Sequence, residues 1–211
     1  GTGRPSPDHM MALGRTRHCE AIAALATLGV AAEDAVFLGY PDDGLADIID
    51  NQHWRPNDPY MSKHTGCAST PYACVFTPGA EYCASRIASD LSTILAEYMP
   101  DLVLVPHPLD THGDHWASYA LTMYAIEQLN YVELAGANVL AYMVHAGADW
   151  PQPWGYRPDL PLDPPRWRGS PQAVWIRTAL TEDAVAAKLR ALERYKSQLA
   201  SVSAFLKSFV R

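Results

Sequence analysis

A chain of 211 residues is long enough for one domain with a substantial core. Hydrophobic residues make up 48% of it, yet His, Asp or Glu interrupt every apolar window before it could span a bilayer, which argues against a membrane-spanning chain. A formal charge of -7 with a pI near 5.5, and local basic density only at Arg166-Trp167-Arg168, argues against nucleic acid as a partner.

In chain order, Gly1 to His9 is rich in Gly, Pro and Ser and reads as a loop. From Met10 to Leu28 the apolar positions Met11, Leu13, Ala21, Ile22, Leu25 and Leu28 follow helical spacing, and Gly29 is a natural stop. Ala35-Val36-Phe37-Leu38 is a short apolar run between turn formers, predicted as a buried strand. Asn51 to Thr77 carries Pro, Asn, Ser, Gly and two Cys without a period, a long loop of the kind that serves as a lid. Gly79 to Tyr98 regains helical periodicity through Ile87, Leu91, Ile94 and Leu95, and Pro100 closes it. A strand at Asp101 to Val105, a helix from about Asp114 to Leu129 and a strand at Val139 to Val144 follow. Residues 146 to 172 are dense in Pro and Trp and read as irregular. A strand near Ala173 to Arg177 and a long helix from Thr181 to about Leu199, with a shorter one after it, finish the chain. This alternation predicts an α/β fold: a Rossmann-like, mostly parallel sheet with helices on both faces.

The densest chemistry lies in Pro106-His107-Pro108-Leu109-Asp110-Thr111-His112-Gly113-Asp114-His115, between a predicted strand and a predicted helix. In α/β proteins ligands gather beyond the carboxyl ends of the strands, so polar groups here converge on a cleft. A helix beginning near Asp114 aims an imidazole from its first turn at a metal, with Asp114 fixing ring orientation from behind. A histidine-rich surface loop is the plainer alternative.

Cys19, Cys67, Cys74 and Cys83 contain no C-x-x-C pair, which argues against a zinc knuckle. Cys19 reads as a small buried hydrophobe in its helix. The spacing of Cys67, Cys74 and Cys83 allows one disulfide, which would indicate an extracytoplasmic or secreted location; without it the location is cytoplasmic.

Several elements in order resemble one family across nearly the whole chain. These are Arg17-His18-Cys19-Glu20, Leu28-Gly29-Val30, Gly39-Tyr40-Pro41-Asp42, Pro100-Asp101-Leu102-Val103 with His112-Gly113-Asp114-His115, and Lys188, Ala191-Leu192 and Tyr195-Lys196-Ser197-Gln198. The chain resembles the PIG-L-like (LmbE-like) zinc-dependent N-acetylglucosaminyl deacetylases, H-x-D-H being the specific element. The resemblance implies zinc, or another divalent metal in its place, and an N-acetylated amino-sugar conjugate as substrate. It implies His115 as a metal ligand, Asp114 orienting the neighbouring imidazole, and His112 stabilising the oxyanion or protonating the leaving amine. His145, at the end of its strand, faces the same cleft as a second acid or is a loop histidine bonded to backbone.

By family position Arg17 and Asp42 contact substrate, Arg17 offering a planar fork and Asp42 accepting from hydroxyls. The plainer role for Arg17 is a salt bridge with Glu20. Trp150 and Trp154 stack on a sugar face or pin their Pro-rich loop to the core. His107 and Asp110 are assigned to the shape of the loop, and His18, His53 and His64 are incidental.

One departure stands out. Family members open with a strand ending in Ala-His-Pro-Asp-Asp-Glu, and nothing here matches it, Tyr40 replacing the His before Pro41-Asp42-Asp43. The chain is therefore expected to be one PIG-L/LmbE-like domain lacking its first strand-helix-strand, about forty residues by the length of a β-α-β unit, and to stop slightly short at Phe209-Val210-Arg211. Such a chain alone would be inactive, bind zinc weakly, and expose a sheet edge or face, relieved by a homo-oligomer or a second chain. Two other readings stand beside the deacetylase: a non-catalytic carbohydrate-binding relative, and a metal hydrolase of another bond.

Overall fold

Ser6 and Pro7 start the first helix earlier than its apolar period indicates. In the computed structural model, which describes residues 5–129, 138–165 and 174–211, helix α1 spans Pro7–Thr27. The Ser6 hydroxyl accepts the His9 N–H at 3.2 Å, its carbonyl accepts that of Met10 at 3.0 Å, and Pro7 opens the first turn, where no N–H is needed. The predicted loop therefore ends before Pro7. At the other end Gly29, at φ +82°, lets the N–H groups of Gly29 and Val30 return to the carbonyls of Ala26 and Leu25.

The chain divides into two units: Gly1–Met11 with Val36–His145, and Ala12–Ala35 with Ala146–Arg211. In the first unit, α2 (Leu45–Asp50) and α3 (Ala84–Tyr98) pack on α4 (Gly113–Gln128), which in turn packs on a small parallel sheet. Strands β1 (Leu102–Pro106) and β2 (Asn138–Tyr142) pair in register from Leu102 opposite Asn138 to Pro106 opposite Tyr142. The fold is α/β, and helices dominate it. Ile48, Tyr60, Tyr82, Ala84, Ile87 and Leu121 form a buried cluster fed by the inward stripes of α3 and α4. On the sheet, Val105 is buried while Leu102, Leu104, Leu140 and Tyr142 share an uncovered face, Leu104 being 62% exposed.

The long loop is tied down from within. Tyr60 donates its N–H to Tyr82 O, Thr70 to Ala80 O and Tyr82 to Ala68 O, so 80–82 is extended and α3 begins only at Ala84 rather than Gly79. Asp90, buried on α3, accepts the Tyr40 hydroxyl at 2.7 Å and the Thr77 hydroxyl at 2.8 Å. Burial first, then the hydrogen bond to Asp90 and the charge of that carboxylate, raise the Tyr40 phenol well above its ordinary value.

Three expectations need correction. Residues 35–38 form no strand: Phe37 O accepts one N–H, from Phe76, and Val36 is 39% exposed, so the run is extended without a ladder. Residues 174–177 likewise form no strand, Val174 being 89% exposed and Arg177 pairing with Asp163 through its side chain; Ala173 lies outside the described residues, as do Arg166, Trp167 and Arg168. The disulfide is absent. None of the four cysteines is in a disulfide, Cys83 being buried beside the Ser85 hydroxyl and Cys74 and Cys19 exposed.

In the second unit the predicted long helix is two, α5 (Glu182–Leu192) and α6 (Lys196–Lys207). The chain turns at 193–195, and Glu20 on α1 holds the new start, accepting the Ser197 N–H at 2.8 Å and its hydroxyl at 2.6 Å. Thr181 caps α5 by accepting the Ala184 N–H. Among the described residues no helix is long and apolar enough to cross a membrane.

Candidate functional site

Because β1 and β2 are parallel, their carboxyl ends lie together, and the loops leaving them meet. The His107 N–H donates to Tyr142 O at 2.7 Å, and Thr111 donates both its N–H and its hydroxyl to His145 O. These bonds bring three imidazoles into one group. Ring centroids are 4.7 Å apart for His112 and His115, 5.5 Å for His112 and His145, and 5.2 Å for His115 and His145.

Asp110 lies beneath this group with its side chain wholly buried. One oxygen accepts the His112 N–H at 2.9 Å; the other accepts those of Val144 and His145, each at 2.9 Å. That second oxygen also lies 3.0 Å from His115 Nδ1, to the side of the ring's N–H direction. Burial would raise the Asp110 carboxyl, but the N–H donors of His145 and His112, the His115 ring and the Val144 N–H outweigh it and hold the group below its ordinary value.

His112 is the N-cap of α4, its Nδ1 accepting the Asp114 N–H at 3.2 Å. An accepting Nδ1 places the proton of the neutral ring on Nε2. Burial lowers the pKa of His145; Asp110 opposes this, and His115 and His112 reinforce it. His107 is also lowered by burial, and its Nδ1 accepts the Leu109 N–H.

The structure reassigns Asp114. Its carboxylate orients no imidazole; it accepts the backbone N–H groups of Asp43 at 2.6 Å, Gly44 at 3.0 Å and Leu45 at 2.9 Å, holding the turn that opens α2. The carboxylate against the His115 ring is Asp110, which sequence reasoning gave only a shaping role. The available signal was spacing, since an aspartate two residues before His112 is placed to take that residue's N–H.

Asp42 is exposed in the same turn, and its neighbour Asp43 carries the contacts. Asp43, at φ +53°, lies 2.9 Å from Lys63 Nζ and 3.7 Å from His64 Nε2. Lys63 chiefly, with His64 and His112 adding their charge, holds the Asp43 carboxyl below its ordinary value despite some burial. His64, read as incidental, thus belongs to this turn. His53 is structural, bonded to Asp58 O and edge-on to Tyr60.

Arg17 and Trp150 belong to the second unit. Glu20 spends its oxygens on Ser197, so Arg17 acts on it through charge alone, and the buried Arg17 Nε has no hydrogen bond. The Trp150 indole donates to Asp163 O and meets Phe209 edge to face at 5.4 Å, the pinning arrangement; Trp154, against Phe205, remains 48% exposed.

A resident metal does not fit the described residues alone. No three His, Cys, Asp or Glu side chains among them form a group able to hold an ion, and the three histidine rings lie against one another at interplanar angles of 30° to 36°.

The model of the PIG-L family, GlcNAc-PI de-N-acetylase, matches residues 1–126, a span that contains Arg17, Asp42, Asp110 and the His112 to His115 element and ends before His145 and Trp150. No curated protein and no solved structure matches. The family is one of deacetylase-type hydrolases whose members are generally metal-dependent. With more than half of its length matched, this chain belongs to the PIG-L family.

Proposed function

We propose that this chain is an N-deacetylase that removes the acetyl group from an N-acetylglucosamine-containing substrate. The observation that carries the reading is the meeting of His112, His115 and His145 at the carboxyl ends of two parallel strands, above one buried carboxylate.

Hydrolysis of an acetamide adds water oxygen to the carbonyl carbon, breaks the C–N bond and delivers a proton to the departing amine. His112, with its proton on Nε2, suits donation to the carbonyl oxygen as charge develops there. His145, kept neutral by burial, suits proton uptake better than the role of a second acid. His115, with Nδ1 turned to Asp110, has Nε2 as its ligand nitrogen. The metal would be zinc or another divalent ion. Asp42 and Arg17 remain substrate contacts in this reading, and Trp154, the more exposed indole, suits a sugar face better than Trp150.

The test is release of free amine from N-acetylglucosaminyl conjugates incubated with the protein and zinc, compared with His112→Ala and His115→Ala. The reading expects losses of about 10²- to 10⁴-fold in each variant. Saturable sugar binding without amine release would favour a carbohydrate-binding relative, and release of a different product would favour a hydrolase of another bond.

A further inference from the structure

Asp110 is the acidic group that touches every histidine-bearing segment of the cluster. It accepts the backbone N–H of His112 after β1 and those of Val144 and His145 after β2, and one of its oxygens lies 3.0 Å from the ring Nδ1 of His115 in the first turn of α4. A carboxylate so placed does two things. It fixes the separation of two loops that no local pattern joins, and it favours a proton on the imidazole nitrogen facing it, leaving the opposite nitrogen as a lone-pair donor.

We propose that Asp110 is the positioning residue of this site, setting His115 in the Nδ1–H tautomer and holding the His112 and His145 loops at one distance from it. Asp114, the acidic residue adjacent to His115 in sequence, is directed elsewhere, its oxygens accepting the N–H groups of 43–45. An amide cannot replace Asp110 fully. Its two oxygens face three backbone N–H groups and one ring nitrogen, so an asparagine would turn an NH₂ toward donors on one side. The proposal rests on the histidine cluster being the site of the reading above.

Two-bond ¹H–¹⁵N spectra of the imidazoles, recorded on the full metal-free chain at a pH where the rings are neutral, with His115 assigned through His115→Gln, test it directly. The expected result is His115 with a protonated Nδ1 and a bare Nε2. In Asp110→Asn that preference is lost and the amide resonances of His112 and His145 shift upfield; in Asp110→Glu it is partly retained. His115 in the Nε2–H tautomer in the unaltered protein would overturn the proposal, whether or not the variants fold. So would a folded Asp110→Asn that keeps the tautomer and both amide shifts. Amine release is scored separately: its absence with the tautomer in place defeats the deacetylase reading and leaves the role of Asp110 standing.

Discussion

The carboxylate of Asp114 accepts the Gly44 N–H at 3.0 Å, across seventy positions of sequence. With the neighbouring bonds to Asp43 and Leu45 it joins the first turn of α4 to the first turn of α2. A hydrogen bond to a charged group contributes about 1.5–3 kcal/mol, and Asp114→Asn leaves one accepting oxygen where two served three donors. The variant should lose about 2 kcal/mol of stability, within that range, read as a lower urea midpoint with an unchanged slope. No loss would mean the turn holds without this residue.

Asp110 should make stability depend on acid. Its folded carboxyl lies below the unfolded value of about 3.9, so its contribution is full above that pH and disappears as pH falls through the folded value. Asp110→Asn should be less stable at pH 7 by about 3 kcal/mol, the loss expected when a buried charged partner is removed. It should also lose less than the parent protein below pH 4. Urea titrations of both proteins across that range provide the comparison.

For His145 the sign is reversed in chemistry but similar in direction. Burial favours the neutral ring in the folded protein, so its contribution is full above the unfolded imidazole value of about 6.5 and declines as pH drops below it. NMR titration should find His145 ionising below that value. His145→Asn should flatten the fall in urea midpoint just below pH 6.5, and an unchanged slope would place the effect elsewhere.

Gly39 tests how tightly the loop closes on the turn before Pro41. It sits at φ +75°, and a Cβ there would come within 2.7 Å of both Thr70 Oγ1 and Val75 Cγ1. Gly39→Ala should cost about 1–3 kcal/mol, the range for a non-glycine residue forced into such backbone. Thermal unfolding reads the cost as a lower midpoint.

Cysteines outside any disulfide remove the structural case for a stabilising bridge. Reducing agent should leave the thermal midpoint unchanged, and thiol counting on the unfolded, unreduced protein should find all four reactive. A shortfall of two would restore the bridge expected among Cys67, Cys74 and Cys83.

Elements whose evidence is local were legible in the order of the residues. The apolar run of β1, the helical spacing of α4 and the polar residues between them place His112 and His115 at a strand's carboxyl end. Gly29 ends α1 and Pro100 follows α3 for equally local steric reasons. Partner choice was not local. Spacing put Asp114 next to His115, but its oxygens reach 43–45, and Asp110 reaches His115 because the helix turn swings that ring back over the strand exit. A strand was expected at 35–38 from its apolar residues, yet a strand exists only where another backbone offers a ladder. The same limit separates α5 from α6, whose break is held by Glu20 from the far end of the chain. Periodicity reports which face of a segment is apolar; only the folded chain decides which distant donor meets which acceptor, because that depends on distances that sequence separation does not encode.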